Sequence, residues 1–421
     1  HCEVICRQRI MRNIKNNEIY MVRMLLLVVV CIGLLPIQMR AQKNSYIIPG
    51  EVWKDTDGNP INAHGGGLLY HDGTYYWYGE YKKGKTILPD WATWECYRTD
   101  VTGVGCYSSK DLLNWKFEGI VLPAVKEDPN HDLHPSKVLE RPKVIYNKKT
   151  GKFVMWAHVE SADYSKACAG VAVSDFPNGP FTYLGSFRPN NAMSRDQTVF
   201  VDDDGQAYFY WGQLASHGVK LNPDMVSFDE DSVVDNLVRE EEHFFHEGSS
   251  MRRIGDTYYY IYADMERGKP TALGYSTSKS PLGPFEYRGI IIDNADCDHA
   301  SWNNHGSIEG VNGQWYCCYH RCSRGVKENR RLCIEPITIL PDGSIPEVKM
   351  TSQGVGEPFA PGERIMGYQA CALKGSAYIG LNKDAAASEM YPEVITNIGS
   401  GDEVVFRYIK NDERWNRIEM V

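Results

Sequence analysis

The stretch QTVFVDDDGQAYFYWG (residues 197–212) contains an apolar run, a polar turn that includes Gly, and a second run rich in aromatic residues. Such runs on either side of a short Gly-containing turn are typical of a β-hairpin. The same phrase occurs four more times along the chain. These copies are GGGLLYHDGTYYWYGE (65–80), RPKVIYNKKTGKFVMWAHVE (141–160), SSMRRIGDTYYYIYADM (249–265) and GSIEGVNGQWYCCYHR (306–321). The sequence therefore predicts five hairpins.

A second phrase recurs between the hairpins. Its copies are CYSSKDLLNWKFEG (106–119), VAVSDFPNGPFTYLG (171–185) and GYSTSKSPLGPFEYRG (274–289). The spacing of the hairpins leaves room for two more strands after each one, and radially arranged sheets of about four strands form a β-propeller. A large β-sandwich is the alternative, but it does not account for two phrases that recur in step. We expect an all-β fold with a five-bladed β-propeller.

One ionisable residue lies at or just before the head of each hairpin. If the first strand of each hairpin is the innermost strand of a blade, these five residues meet at one end of the central channel. They are His64, Glu140, Asp196, Glu247 and His305. The second strand runs back antiparallel and ends at the same face. It adds a predicted second ring formed by Glu80, His158, Gln213, Asp264 and Arg321.

Composition limits the classes of partner. The chain has 421 residues, a formal net charge of -9 and no basic block, which argues against a nucleic-acid partner. Ten Trp and 26 Tyr residues suit a protein that stacks sugar rings. Residues 24–35 form an apolar run after Arg23, which is typical of a secretory signal and too short for a membrane span. We expect a secreted or periplasmic protein whose leader and signal peptide occupy residues 1–42.

Three of the five channel residues are carboxylates from different blades: Glu140, Asp196 and Glu247. Hydrolysis of a glycosidic bond needs one protonated carboxyl group and one carboxylate that acts as base or nucleophile. A third carboxylate nearby raises the pKa of the acid by repulsion between like charges. This pattern predicts a glycosidase.

Several segments together resemble glycoside hydrolase family 43 over residues 47–354. They are SRDQTVFVDDDGQAYFYWG (194–212), HEGSSMRRIGDTYYYIYADM (246–265), SKSPLGPFEYRGIII (278–292), WNNHGSIEGVNGQWYCCYHR (302–321) and RRLCIEPITILPDGSIPEVKMTSQG (330–354). The resemblance implies a five-bladed propeller that removes terminal arabinofuranosyl or xylosyl residues from plant polysaccharides with inversion. It also implies Glu247 as general acid, Asp196 as the residue that tunes its pKa, and His305 near the channel axis beside a water or an ion such as Ca²⁺. No cofactor is expected to be required.

Blade one departs from the family pattern. The family's usual base is an Asp followed by Pro, whereas this chain has Ala63-His64-Gly65-Gly66. The A-H-G-G-G, Y-W-Y-G-E and E-R-P-K-V segments are similar to the exo-β-1,3-galactanase subset of the family. That similarity implies Glu80 and Glu140, with His64, as substrate-binding groups or substitutes for the base. An exo-β-1,3-galactanase is therefore the alternative enzyme, and a catalytically inactive glycan-binding propeller is the alternative of another class.

Other residues are candidates by position. Trp91, Trp94 and Trp302 are candidate walls for sugar stacking, and Arg321 is a candidate substrate-binding residue. Cys96 and Cys106 are a candidate disulfide pair. We expect the propeller to occupy residues 43–354. Residues 355–421 resemble the opening of a family 6 carbohydrate-binding module but fall short of the roughly 100 residues of a typical sandwich, so a partial β-sandwich is predicted there.

Overall fold

The computed structural model describes residues 46–82, 103–381 and 393–410. The predicted leader, Trp91, Trp94 and Cys96 lie outside these ranges. The described chain is nearly all β and is arranged as a five-bladed β-propeller, which confirms the predicted fold class. Among these residues, no helix is both long and apolar enough to cross a membrane.

The blades follow one another in chain order. Blade one contains β1 (His64–His71), β2 (Thr74–Tyr81), β3 (Gly103–Ser109) and β4 (Lys116–Pro123). Blade two contains β5 (Val138–Asn147), β6 (Lys152–Glu160), β7 (Cys168–Ser174) and β8 (Thr182–Phe187). Blade three contains β9 (Thr198–Val201), β10 (Ala207–Trp211), β11 (Ala215–Leu221) and β12 (Phe228–Arg239). Blade four contains β13 (Phe245–Ile254), β14 (Thr257–Asp264), β15 (Ala272–Ser278) and β16 (Glu286–Asp293). Blade five contains β17 (Ser307–Val311), β18 (Gln314–Ser323) and β19 (Val326–Ile337). Each described blade is an antiparallel sheet whose strands lie in sequence order.

The hairpin turns explain why Gly recurs in the first phrase. Asp72 and Gly73 have φ angles of 46° and 69°, and Asn312 and Gly313 have φ angles of 50° and 81°. Two successive positive φ angles define the type I′ turn, whose twist matches that of the flanking strands. These D-G and N-G pairs therefore close two-residue hairpins in blades one and five.

Aromatic side chains fill the spaces between blades. Trp156 of blade two packs against Phe209 of blade three with ring centroids 5.1 Å apart, and Tyr210 of blade three packs against Tyr260 of blade four at 5.4 Å. From β1 to β17, the first strand of each blade also contacts the first strand of the next blade. The first strands are therefore innermost, as the sequence predicts, and much of the aromatic content serves packing between blades.

The heads of three inner strands are irregular. The strand register shifts between His64 and Gly67 in β1, between Glu140 and Lys143 in β5, and around Glu247 in β13. Bulges of this kind bend a strand and change the direction of its side chains, and they are frequent beside active sites. The irregular heads lie where the sequence predicts the channel residues.

The C-terminal segment forms two short antiparallel sheets. One pairs β20 (Ala372–Lys374) with β23 (Glu403–Val405), and the other pairs β21 (Tyr378–Leu381) with β22 (Glu393–Thr396). Arg324 and Arg331 of blade five each donate to Oε1 of Glu393 at 2.7 Å. These two sheets agree only partly with the predicted partial β-sandwich. They are joined to blade five by the ion pairs of the buried Glu393 with Arg324 and Arg331.

Candidate active site

Three of the predicted channel residues form one group at the heads of the inner strands. Asp196, Glu247 and His305 each present a side-chain oxygen or nitrogen atom within 4.8 Å of the other two. Asp196 is buried and has a φ of 51°, a left-handed conformation that carries strain for a residue with a Cβ atom. The fold thus brings together residues from blades three and four and the loop before blade five.

Both oxygens of Glu247 receive hydrogen bonds. Oε1 lies 3.1 Å from Nε2 of His305 and accepts a hydrogen bond from Nδ2 of Asn303 at 3.0 Å. Oε2 accepts from Nε2 of Gln213 at 2.9 Å. The Glu247 side chain is 13% exposed, so its carboxyl group is held from two sides and the side chain still reaches solvent.

The environment of Glu247 pulls its pKa in two directions. Burial raises the pKa, whereas the hydrogen bond from His305 and the charge of a protonated His305 lower it, with smaller contributions from His246 and Asn303. The net direction is downward. The protonation state of His305 therefore decides whether Glu247 can hold the proton that a general acid needs.

A second group shares Asp196 with the first. One carboxylate oxygen or ring nitrogen from each of Glu140, His158 and Asp196 lies within 4.8 Å of the other two. Nδ1 of His158 is 3.2 Å from Oε2 of Glu140, and its Nε2 is 3.6 Å from Oε1 of Glu160. Burial lowers the pKa of His158, but the two carboxylates beside its ring outweigh burial and raise the pKa to about 9. A positively charged His158 thus favours the ionised form of Glu140.

At the start of blade one, His64 and Glu80 form a close pair. Nδ1 of His64 lies 3.0 Å from Oε2 of Glu80, and Lys82 lies 2.6 Å from the same oxygen. Glu80 is fully buried. Burial raises its pKa, but Lys82 and His64 outweigh burial and lower it to about 2, while burial lowers the pKa of His64 to about 4. At neutral pH, an ionised Glu80 is therefore enclosed by an ammonium group and a neutral imidazole.

Sequence reasoning missed Arg141 and Lys143, which lie in the bulge of β5. The Nζ of Lys143 donates to the carbonyl oxygens of Gly65 at 2.7 Å and Gly66 at 3.0 Å. Burial lowers the pKa of Lys143 well below its usual value. The backbone N–H of Arg141 donates to Oε1 of Glu80 at 3.0 Å. Both residues follow Glu140 in the E-R-P-K-V segment. The similarity of this segment to the galactanase subset predicts a role for Glu140 alone, although the segment also contains Arg141 and Lys143.

Two predicted residues lie at the mouth of the group. Gln213, whose Oε1 accepts from Nη1 of Arg195 at 3.1 Å, lies beside Glu247. Trp302 is 45% exposed and directly precedes Asn303. This position suits the sugar-stacking wall predicted for Trp302, a role that stays a prediction.

The structure does not bring Arg321 and Asp264 into the group. Arg321 is buried in blade five and donates to the carbonyl oxygen of Thr351 at 2.6 Å and to Glu335 at 3.3 Å. Asp264 is buried within blade four, where its Oδ1 accepts from the backbone N–H of Glu266 at 2.8 Å. The described contacts of these two predicted second-ring residues stabilise their own blades.

The predicted ion beside His305 requires a ring nitrogen with a free lone pair. Nη1 of Arg141 lies 3.2 Å from Nδ1 of His305, and Nε2 faces Glu247. A guanidinium group is always charged and only donates, so this arrangement does not fit a cation coordinated by the ring. The ion stays a prediction of the sequence, and no step of the reaction proposed below uses it.

The arrangement suits cleavage of a glycosidic bond. Carboxyl groups from blades two, three and four converge at one end of the channel, linked through Asp196. Two carboxyl groups with different hydrogen-bond partners can take the roles of acid and base, because their surroundings favour different protonation states. Glu247 and Glu140 are such a pair.

Comparisons with known proteins agree with this chemistry. The family model described as glycosyl hydrolases family 43 matches residues 59–345. A xylosidase/arabinosidase of Thermoclostridium stercorarium is 30% identical over 342 residues, which cover 71% of this chain and 69% of that protein. An arabinoxylan arabinofuranohydrolase of Bacillus subtilis (strain 168) is 30% identical over 296 residues, and the match covers 59% of this chain and only 55% of that relative's length.

A solved structure is similar over most of its own length. It is a family 43 β-1,3-galactosidase with galactodeoxynojirimycin, which is 30% identical, has a TM-score of 0.59, and is matched over 71% of this chain and 97% of that chain. The family match extends over more than half of the sequence and agrees with the resemblance found in the motifs. The chain belongs to glycosyl hydrolase family 43.

Proposed function

We propose that this protein is an exo-acting glycosidase that removes terminal β-1,3-linked galactosyl residues from plant polysaccharide side chains, with inversion of the anomeric centre. The observation that carries the choice of sugar is the head of blade one, where His64 covers a buried Glu80. The A-H-G-G-G segment of this head, and the E-R-P-K-V segment of blade two that contacts Glu80 through Arg141, are similar to the galactanase subset of the family. The similarity to a β-1,3-galactosidase over 97% of that chain supports the same choice.

In the proposed reaction, Glu247 is the general acid and Glu140 is the general base. Glu140 removes a proton from a water molecule whose oxygen attacks the anomeric carbon of the terminal sugar. The bond from that carbon to the bridging oxygen breaks, and Glu247 gives its proton to the departing oxygen. Asp196, which lies beside both groups, orients Glu247 and favours its protonated form by charge repulsion.

Among the three candidates for the base, Glu140 is supported best. Glu80 is fully buried, and Arg141, His64 and Lys82 contact its two oxygens. The oxygens of Glu140 also have partners, because Oε1 accepts from the hydroxyl group of Tyr164 at 3.0 Å and Oε2 faces His158, so its position beside Asp196 is what favours it. A pKa of about 4 makes His64 a weak base at neutral pH. Glu140 lies with Asp196 and is kept ionised by His158, which is the state that a base requires.

Release of terminal arabinofuranosyl or xylosyl residues is the second candidate function. The second half of the chain contains N-N-H-G-S-I-E and E-P-I segments that resemble the arabinofuranosidase and xylosidase members. Two relatives that are 30% identical carry arabinose- or xylose-related names, which supports this candidate.

The test supplies β-1,3-galactobiose, xylobiose and an arabinofuranosyl-substituted xylotriose to the purified protein. Released sugars are measured by chromatography, and the first anomer formed is measured by ¹H NMR. We expect galactose as its α-anomer from the β-linked substrate, no release by Glu247→Gln, and full release by the matched control Glu241→Gln, which changes an exposed carboxylate nearby. Release of xylose or arabinose without galactose would favour the second candidate. Glycan binding without any release, unchanged in Glu247→Gln, would favour an inactive binding protein.

A further inference from the structure

Equivalent positions in three blades have the same unusual backbone. Gly65, Arg141 and Gly248 directly follow the channel residues of β1, β5 and β13, and their φ angles are 59°, 53° and 71°. This left-handed region is open to Gly but costs about 1–2 kcal/mol for a residue with a Cβ atom. Blade two therefore keeps an arginine where the other two blades have glycine, and the strain points to a function of the side chain.

The Arg141 side chain reaches across the channel end. It is 7% exposed, its Nη2 donates to the carbonyl oxygen of Ser249 at 2.9 Å, and its Nη1 lies 3.2 Å from Nδ1 of His305. The bond to Ser249 anchors one nitrogen of the guanidinium group. The second contact is then directed at one ring nitrogen of His305.

This contact determines which nitrogen of His305 carries the proton. A guanidinium group has only donors and stays protonated, so Nδ1 must accept with its lone pair. In a neutral imidazole the proton then lies on Nε2, because the partner of one nitrogen sets the state of the other. Nε2 is the atom 3.1 Å from Oε1 of Glu247, so His305 donates to Glu247 as a neutral ring.

We propose that Arg141 is a positioning residue that holds His305 as the neutral Nε2–H tautomer and thereby assigns the transferable proton of Glu247 to Oε2. Oε1 receives hydrogen bonds from His305 and Asn303 and is saturated as an acceptor. Among the residues that the structure describes, the hydrogen-bond partner of Oε2 is the neutral amide of Gln213, on the exposed side of the carboxyl group. Nδ2 of Asn303 also lies 3.3 Å from Nε2 of His305, but its shorter contact, at 3.0 Å, is the hydrogen bond that it donates to Oε1 of Glu247. The tautomer therefore rests on the contacts of His305 with Arg141 and Glu247, whereas the assignment of the proton rests on the proposed function of Glu247.

A neutral His305 also lets Glu247 act as an acid. A protonated imidazole beside Oε1 would stabilise the carboxylate and would hold Glu247 in its ionised form. Arg141 prevents this state because a proton on Nδ1 would point directly at the guanidinium group. Loss of the Arg141 side chain should therefore impair the chemical step more than substrate binding.

The first experiment reads the tautomer without any substrate. The full chain is labelled with ¹⁵N-histidine, and the long-range ¹H–¹⁵N spectrum is recorded at neutral pH for wild type, Arg141→Met and Arg141→Lys, with His305→Gln to assign the signals. We expect an unprotonated Nδ1 and a protonated Nε2 in wild type, retention in Arg141→Lys, and a protonated Nδ1 in Arg141→Met. Arg252→Met, which removes an arginine that pairs with Glu309, should leave the His305 signals unchanged. A wild-type His305 protonated on Nδ1, or an unchanged tautomer in Arg141→Met, would overturn the proposal.

The second experiment measures kcat and KM on the sugar substrate that the wild type cleaves. We expect a decrease in kcat of at least tenfold in Arg141→Met, a change in KM of less than threefold, and partial recovery in Arg141→Lys, with circular dichroism confirming that each variant is folded. Equal losses in both arginine variants, or a change confined to KM, would contradict a positioning role. If wild type cleaves none of the substrates, the proposed function fails, while the spectra still decide the tautomer.

Discussion

Nδ1 of His64 lies 3.0 Å from Oε2 of Glu80, and this contact closes the head of blade one. Because Lys82 and the backbone N–H of Arg141 also bind Glu80, the carboxylate joins blade one to blade two from within the protein. A family member without the usual Asp in blade one thus uses a carboxylate there to hold the site together.

The assignment of the base to Glu140 predicts a difference between two alanine variants. In Glu140→Ala, kcat should fall by about 10²- to 10⁴-fold, and added azide should restore turnover by replacing the activated water. Glu80→Ala should instead lower the free energy of unfolding by about 3 kcal/mol or more, because Lys82 loses its buried partner, and azide should have no effect. Kinetics and thermal melting measure both changes. Azide rescue of Glu80→Ala alone would reverse the assignment.

The proposed role of Glu247 predicts a dependence on the leaving group. Glu247→Ala should reduce kcat by about 10²- to 10⁴-fold on a natural disaccharide. The loss should be much smaller on an aryl glycoside with an acidic phenol, because such a leaving group departs without a proton. The ratio of the two losses is the measurement, and Glu241→Gln serves as the control. Equal losses on both substrates would remove Glu247 from the role of general acid.

Gly248 provides a test of the contact between β13 and His305. A Cβ atom at this position would lie 2.4 Å from Cδ2 of His305, whereas a Cβ atom at Gly255 would meet nothing within 4 Å. The two glycines have similar positive φ angles of 71° and 60°, so Gly255→Ala reports the backbone strain alone. We expect Gly248→Ala to lose activity at least tenfold and Gly255→Ala to keep it. Matching activity losses in the two variants would show that strain, not displacement of His305, causes the effect.

Asp264 predicts a pH dependence of stability. Burial raises its pKa from 3.8 to about 7, so the folded state binds a proton that the unfolded state has lost between these values. The contribution of this group to stability is fully present below about pH 4 and is lost as the pH rises through 7. Asp264→Asn should therefore raise the melting temperature at pH 8 and have little effect at pH 4, with a gain on the order of 3 kcal/mol. Asp231→Asn, on an exposed side chain, is the control, and a gain independent of pH would contradict the prediction.

The sequence predicts the site residues at the starts of the first strands more accurately than those at the ends of the second strands. Alternation along a strand places every second residue on the same face, so a shift of one residue reverses the direction of a side chain. Glu80 and His158 lie directly opposite His64 and Glu140, as the hairpins suggest. In blade four, the bulge pairs Glu247 with Ala263 and leaves Asp264 opposite Phe245. The repeated phrase cannot show that change of register, and Asp264 was therefore assigned to the site.

Arg141 could have been found from the sequence with one further comparison. The aligned heads read His64-Gly65, Glu140-Arg141 and Glu247-Gly248, and an arginine at a position that is otherwise Gly is unexpected for a plain turn. The contacts with Ser249 and His305, however, cross from one blade to others that lie more than 100 residues away along the chain. Spacing within one repeat carries no information on such contacts, so only the folded structure identifies the partners.

Arg141 also has consequences for engineering. Its main chain binds Glu80 of blade one and Gln197 at the start of blade three, and its side chain binds Ser249 of blade four and His305 before blade five. Glu80, Gln197 and His305 make these contacts with their side chains, so a substitution at any of the three is expected to disturb several blades together. Trp302 directly precedes Asn303 and Leu214 directly follows Gln213, so both lie next to residues that bind Glu247, and their exposed side chains make none of these contacts. A library that aims to change sugar preference and retain the chemistry should begin at those two positions.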